Sequence, residues 1–261
     1  MNMTSGTLSY NGGQIYYEVA GSGKPIVFVH GFTLDHTMWQ SQVEFFSKDY
    51  KVLTYDARGF GKSSLPDGPY NHAADLRVLL KHLDIDQVHI VGLSMGGRIA
   101  TNFALEHPGM VISLTLMDSA LDGYKSEVDW NVHAKEQGLE KAKENWLNHE
   151  LFTVTQKRPE VVAALRSIVE RYSGWHWLHH DLQDPSDTCA RDHLHEIDKP
   201  TFVIIGEGDL TYFHNISKVL VAGIPDSQKV VVPDAGHMVN MEAPDKVNRL
   251  LACFIADPSR S

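Results

Sequence analysis

Residues 88–97 read Val-His-Ile-Val-Gly-Leu-Ser-Met-Gly-Gly and contain the pattern that decides the fold. An apolar run ends there in a Gly-x-Ser-x-Gly motif, and residues with helical spacing follow at 98–107. A strand–turn–helix of this kind needs small residues around a sharp turn, and it exposes the serine hydroxyl beside the helix N-terminus. We therefore predict that Ser94 is a nucleophile.

Apolar runs of the same type recur along the chain, separated by segments with helical spacing. Strands are predicted at Ile26–Val29, Lys51–Tyr55, Val88–Val91, Ile112–Met117, Thr201–Ile205 and Lys229–Val232. Helices are predicted at Met38–Phe46, His72–Leu83, Arg98–His107, Ile216–Val221 and Pro244–Phe254. This alternation predicts an α/β fold with a mostly parallel sheet between two helical layers. Asn11-Gly12, between two short strand-like runs, predicts an N-terminal hairpin.

The alternation stops between about Leu121 and Ile197. This stretch has no convincing β run, has helical spacing at Val132–Leu147 and Pro159–Tyr172, and holds four of the five tryptophans. Because it lies between two core strands, we predict a helical cap, residues 121–197, inserted into a core formed by residues 1–120 and 198–261.

Position along the chain selects the partners of the serine. A serine is a weak nucleophile until an oriented base removes its proton. Of the fifteen histidines, His237 follows the last predicted strand on a Gly-containing loop, at the same sheet edge as Ser94. Asp209 ends a loop after the preceding strand and is predicted to orient that base. Glu207, on the same loop, and Asp118, after another strand, are alternative acids.

Acyl transfer also needs two N–H groups that bind the developing oxyanion. We predict the amides of Met95, after the nucleophile, and Phe32, on the loop His30-Gly31-Phe32. His30 is expected to hold that loop rather than to catalyse. Residues 56–64 contain two glycines but lack phosphate-loop spacing, so a supporting turn is expected.

Composition and net charge limit the classes of partner that this protein can bind. The chain has 261 residues, 43% of them hydrophobic and 21% charged, and a net charge of −10, which argues against nucleic-acid binding. The N-terminus does not resemble a signal peptide, and no apolar run approaches the length of a membrane span. Cys189 and Cys253 are expected to be free thiols in a cytoplasmic protein.

Together these motifs resemble the α/β-hydrolase superfamily, in particular capped serine carboxylesterases and enol-lactonases. The matching segments are His-Gly-Phe at 30–32, Asp-Ala-Arg-Gly-Phe-Gly-Lys-Ser at 56–63, Gly-Leu-Ser-Met-Gly-Gly at 92–97, Gly-Glu-Gly-Asp at 206–209 and Ala-Gly-His at 235–237. The resemblance implies an eight-stranded, mostly parallel sheet whose first strands are antiparallel, with no metal and no cofactor. It implies cleavage of a small, largely apolar carboxylic ester or lactone through an acyl-enzyme.

Other chemistries on this fold remain open. Ser-Met-Gly-Gly-Arg at 94–98 is similar to a menaquinone-pathway synthase, which is a lyase. Carbon–carbon bond hydrolases usually have Asn before the nucleophile and Trp soon after the histidine, where this chain has Leu93 and Met238–Met241. Dehalogenases and epoxide hydrolases use an aspartate where this chain has Ser94. A ligand-binding sensor with negligible turnover is a further alternative.

The cap offers weaker signals. Trp175 and Trp177 are expected to contact substrate, since ligand sites are largely apolar and aromatic. Histidines are dense at 176–180 and 193–195, but no His-Glu-x-x-His motif or cysteine cluster accompanies them, so no metal is expected. The natural substrate and the oligomeric state are not determined by the sequence.

Overall fold

A computed structural model describes residues 3–124, 130–184 and 189–258. Eight strands form one sheet. They are β1 (Met3–Tyr10), β2 (Gly13–Ala20), β3 (Pro25–Val29), β4 (Lys51–Tyr55), β5 (Val88–Leu93), β6 (Val111–Met117), β7 (Thr201–Gly206) and β8 (Ser227–Val232).

The strands are arranged in the order β1-β2-β4-β3-β5-β6-β7-β8. The pairs β1–β2 and β2–β4 are antiparallel, and all the others are parallel. Both the mostly parallel sheet and its antiparallel start are therefore confirmed. Every residue of β5 and β7 is buried, as expected for strands covered on both faces.

Helices fill the connections on both sides of the sheet. They are α1 (Gln40–Phe46), α2 (His72–His82), α3 (Met95–Glu106), α4 (Trp130–Gln137), α5 (Leu139–Leu147), α6 (Pro159–Arg171), α7 (Trp175–Leu178), α8 (Ala190–His193), α9 (Thr211–Gly223), α10 (Val239–Glu242) and α11 (Pro244–Ala256). Short 3₁₀ helices lie at His36–Trp39, Pro108–Met110, Glu150–Phe152, Thr155–Lys157 and Leu194–Glu196.

The cap segment contains α4 to α8 and, in its described residues, no strand. The helical structure predicted over Val132–Leu147 is confirmed, but it is divided between two helices. Gly138, at a φ of 84°, separates α4 from α5, because this left-handed backbone is accessible to glycine and incompatible with a continuous helix. The division of the chain into core and cap at residues 121 and 197 stays a prediction.

A buried ion pair fastens the N-terminal hairpin to the core. The Arg58 guanidinium donates to both carboxylate oxygens of Asp75 at 3.0 and 2.9 Å, and also to the carbonyl of Tyr10 at 3.1 Å. The Asp75 hydrogen bond raises the pKa of Arg58, which is already a permanent cation. Both side chains are fully paired, which is what makes burying them tolerable.

Two further expectations concern the cysteines and membrane-spanning helices. Cys189 and Cys253 are free, as predicted. Within the described ranges, no helix combines the length and the apolarity that crossing a membrane requires.

Candidate active site

Ser94 lies at the tight turn between β5 and α3. Its φ of 55° and ψ of −117° are unusual for a residue with a side chain, and such strain costs on the order of 1–3 kcal/mol. The turn is held by hydrogen bonds, since the Ser94 amide donates to the Met117 carbonyl at 3.0 Å and its carbonyl accepts from Gly97 at 2.9 Å. The strained conformation is therefore imposed by the sheet edge, and the side chain remains partly exposed.

The flanking glycines are explained by contact with backbone. A Cβ atom on Gly92 would lie 2.2 Å from the carbonyl oxygen of Gly96. A Cβ atom on Gly96 would lie 2.0 Å from the carbonyl oxygen of Val29, at the end of β3. Because neither contact leaves space for a side chain, the motif brings α3 directly against the loop that follows β3.

The two predicted oxyanion donors lie on these adjoining segments. Phe32 follows the end of β3, and Met95 is the first residue of α3. Within the described parts of the chain, neither amide N–H donates a hydrogen bond to a protein acceptor. Both N–H groups are thus available to a ligand, which is the property that an oxyanion site requires.

His30 holds the Phe32 loop in place, the structural role that we favoured. Its Nδ1–H donates to the Gly31 carbonyl at 2.8 Å, and its Nε2 accepts from the Ala57 amide at 2.9 Å. These bonds fix one neutral tautomer, and burial lowers the pKa of His30. The loop after β4 therefore supports the loop after β3, as a supporting turn would.

His237 and Asp209 are hydrogen-bonded to each other. His237 Nδ1 donates to Asp209 Oδ2 over 3.0 Å, and both side chains are almost completely buried. Because the carboxylate accepts this hydrogen bond, the proton stays on Nδ1, and Nε2 is left free to act as the base. This is the only side-chain hydrogen bond of His237 among the described residues, so Ser94 and His237 are not bonded directly. Such contacts commonly tighten only with bound substrate.

Glu207, the alternative acid on the same loop, does not pair with the histidine. It is exposed, and its carboxylate accepts from the Asp234 amide at 3.4 Å. Asp209 Oδ1 instead accepts from the Leu210 amide at 2.7 Å, which leaves Oδ2 directed to His237.

The second alternative acid, Asp118, lies beside this pair. One ligand atom from each of Asp118, Asp209 and His237 falls within 4.8 Å of the others. Burial raises the pKa of Asp118 well above its usual range, and the charge of Asp209 raises it further. Asp118 Oδ1 accepts from the Gly206 amide at 2.8 Å, whereas Oδ2 is buried without a hydrogen-bond partner among the described residues.

This trio is the one group in the described residues whose His, Cys, Asp or Glu atoms are arranged closely enough to hold a metal ion. Two of its members, Asp209 and His237, are already hydrogen-bonded to each other. The dense cap histidines do not form such a group within the described ranges. His193, for example, bonds Glu196 at 2.6 Å on the surface. The absence of a metal and a cofactor stays a prediction.

Cap aromatics surround the side chain of Phe32. Its ring centroid lies 5.8 to 6.3 Å from four rings of the cap, those of Trp146, Tyr172, His176 and Trp177. Trp146 Nε1 also donates to Thr33 Oγ1 at 2.9 Å. The cap is therefore anchored on the loop that carries the predicted oxyanion donor.

The two tryptophans expected to contact substrate differ in position. Trp177 is 1% exposed, packs beside Phe32, and its Nε1 has no partner among the described residues. Trp175 stacks on His179 at 5.3 Å and contacts His176, with no ring contact to Phe32. The structure thus brings Trp177, rather than Trp175, to the predicted site.

Sequence reasoning missed two residues that contact the site. The Phe213 ring centroid lies 4.2 Å from that of His237, and Glu242 accepts a hydrogen bond from the Gly236 amide, next to the histidine. Phe213 belongs to a helical run, and Glu242 to an apolar stretch, so no local pattern marked either.

Known proteins are similar to this chain over nearly all of its length. A relative from Synechocystis sp., provisionally named a non-heme chloroperoxidase, is 29% identical over 92% of this chain and 94% of its own. The solved enol-lactonase from Burkholderia xenovorans LB400 superimposes with a TM-score of 0.86 at 27% identity, covering 97% of this chain and 100% of its own. A thermophilic esterase from Thermogutta terrifontis gives a TM-score of 0.84 at 28% identity, covering 99% of each chain.

The family model for the alpha/beta hydrolase fold matches residues 24–244. That range includes the strand–turn–helix at Ser94, the cap and the loops carrying Asp209 and His237. The chain belongs to the alpha/beta hydrolase family.

Proposed function

We propose that this protein is a serine hydrolase that cleaves a carboxylic ester or lactone through a triad of Ser94, His237 and Asp209. The observation that carries the proposal is the buried Asp209–His237 hydrogen bond of 3.0 Å, on loops at the sheet edge where Ser94 is held in its strained turn. The likeness to an enol-lactonase and an esterase supports this choice of substrate class.

Each step uses a group with a defined position. His237 Nε2 removes the hydroxyl proton as Ser94 Oγ attacks the carbonyl carbon. The N–H groups of Phe32 and Met95, which have no protein acceptor among the described residues, bind the tetrahedral oxyanion. Asp209 stabilises the imidazolium, which then protonates the leaving alkoxide.

The acyl-enzyme is resolved by the same groups. His237 removes a proton from water as the water oxygen attacks the acyl carbon. When the bond to Ser94 Oγ breaks, the imidazolium returns its proton to that oxygen, and the acid leaves. With an open ester the alcohol departs after the first stage, and with a lactone it remains part of the acyl group.

The surroundings support a small, largely apolar substrate. Phe32 is enclosed by cap rings, including that of Trp177. We propose Trp177 as a residue that lines the acyl site, and Trp175 keeps this role only as a prediction. Cytoplasmic location is also proposed.

The test is hydrolysis of p-nitrophenyl acetate, butyrate and octanoate by wild type, Ser94→Ala and a matched control, Ser217→Ala. Ser217 is a buried serine on α9 whose Oγ donates to the His214 carbonyl at 2.8 Å. We expect activity in wild type and Ser217→Ala and its loss in Ser94→Ala. Mass spectrometry of quenched reactions should show an acyl adduct on wild type and Ser217→Ala and none on Ser94→Ala.

If wild type turns over no faster than Ser94→Ala and forms no adduct, the ester-hydrolase proposal is wrong. A lyase that uses the same serine and histidine, or a ligand sensor, would then be the next hypothesis to test.

A further inference from the structure

Asp118 is a buried acid for which the triad provides no role. It follows β6 with a φ of 42°, in the left-handed region that aspartate and asparagine tolerate better than most residues. Its amide donates to the Ile204 carbonyl at 2.9 Å, and its Oδ1 accepts from Gly206 at 2.8 Å. The end of β7 therefore fixes both the backbone of Asp118 and one oxygen of its carboxyl group.

The other oxygen, Oδ2, is the unexplained feature. It is buried without a hydrogen-bond partner among the described residues. One carboxylate oxygen of Asp118 lies within 4.8 Å of a ligand atom of Asp209 and of His237. A buried carboxylate oxygen left unpaired is costly, and two ionised carboxylates this close repel each other strongly. Glu242, on α10, adds a further negative charge that acts on Asp118.

A proton on Asp118 removes both difficulties. An un-ionised carboxyl group carries one O–H donor, and Asp209 has acceptor capacity beyond its bonds to Leu210 and His237. The direction of the Asp118 pKa, raised first by burial and then by Asp209, agrees with this assignment.

We propose that Asp118 is a positioning residue, an un-ionised carboxylic acid that donates a hydrogen bond to Asp209 and fixes the carboxylate that orients His237. Its effect on catalysis rests on the proposed function, whereas its protonation state does not. Asp118 accepts no proton during turnover and acts on the serine only through Asp209 and His237.

The first test reads the proton itself by infrared spectroscopy at pH 7. We expect wild type minus Asp118→Asn to show the carbonyl band of an un-ionised carboxylic acid. The control is Asp122→Asn, since that aspartate lies on the same loop, is 25% exposed and accepts from Asn102 at 2.8 Å. Its difference spectrum should lack the band. Absence of the band from the Asp118→Asn difference spectrum overturns the proposal, whether or not the protein hydrolyses esters.

The second test separates an un-ionised Asp118 from an ionised one by activity. Asparagine can keep both bonds, accepting from Gly206 and donating to Asp209, so kcat and the acidic limb of the kcat/KM profile should stay close to wild type. If Asp118 were ionised, Asp118→Asn would remove a negative charge within 4.8 Å of His237, and the acidic limb would move to lower pH by about one unit or more. Such a shift refutes the assignment.

Asp118→Ala completes the series. It removes both bonds, and loss of one hydrogen bond to a charged group corresponds to roughly a 10- to 100-fold effect. We expect a kcat decrease of that size with KM little changed, and recovery in Asp118→Asn. Equal losses in the alanine and asparagine variants would contradict a positioning role. If wild type has no Ser94-dependent activity, the proposed function fails, and the infrared result still decides the state of Asp118.

Discussion

The contact between α3 and the end of β3 predicts a sharp cost for one added methyl group. In Gly96→Ala the Cβ atom would lie 2.0 Å from the Val29 carbonyl oxygen and 2.7 Å from that of His30. Ordinary van der Waals contact begins at 3.4 Å, so the first distance is about 1.4 Å too short. Because both partners are backbone atoms, at the last residue of β3 and the residue after it, the N-terminus of α3 must move away from β3.

That movement separates the proposed oxyanion donors, because Met95 moves with α3 and Phe32 stays with the loop after β3. A misplacement of about 1 Å in a catalytic site can cost around 100-fold in rate, which corresponds to about 2.7 kcal/mol. Overpacking a tight interior also costs about 1–3 kcal/mol of folding free energy. We therefore expect kcat on p-nitrophenyl butyrate to fall about 100-fold in Gly96→Ala, with a lower urea midpoint.

The matched control is Gly109→Ala. Gly109 is exposed in a 3₁₀ helix, and a Cβ atom there would meet nothing within 4 Å. This variant should keep the activity and stability of wild type. If Gly96→Ala has the same kcat as Gly109→Ala to within about threefold, the two amides do not act as the oxyanion site, or α3 does not hold one of them in place.

Three further outcomes follow from the contacts. Asp209→Asn should lower kcat by about 10³- to 10⁴-fold, because an amide does not hold the histidine tautomer as a carboxylate does, and a loss below tenfold would contradict its role. Burial lowers the pKa of His36, but the hydrogen bond to Asp56 and the charge of Asp56 outweigh burial, so the pKa of His36 is raised. The stability contributed by protonated His36 is complete below the usual histidine pKa of 6.5, and it is lost as the pH rises through the pKa of His36 in the folded state. The urea stability of wild type relative to His36→Asn should therefore decline as the pH rises above 6.5, and a difference that does not change with pH would refute this expectation. Trp146→Phe removes the 2.9 Å hydrogen bond to Thr33 and should lower the free energy of unfolding in urea by about 0.5–1.5 kcal/mol. An unchanged urea midpoint would show that this contact does not stabilise the protein.

Much of the fold and of the candidate site could be predicted from short segments, because each of these segments specifies its own local structure. The Gly-x-Ser-x-Gly turn between an apolar run and a helix specifies its own geometry, since a Cβ on Gly92 or Gly96 meets backbone at 2.2 or 2.0 Å. Parallel strands present their carboxyl ends at one edge, so residues such as Asp209 and His237, each just after a strand, could be placed together from sequence. The break at Gly138 was not predicted, because helical spacing on both sides obscured the glycine.

The sequence by itself therefore determined the fold class, which loops after strands carry the site, and which residues are candidates for it. Only the tertiary structure showed which of the candidate acids is hydrogen-bonded to His237: Asp209 is, Glu207 is exposed, and Asp118 is buried beside the pair. It alone placed Trp177 and not Trp175 against Phe32. The physical reason is that burial, and the pairings and protonation states that burial enforces, depend on segments far apart in the chain, which no local spacing records.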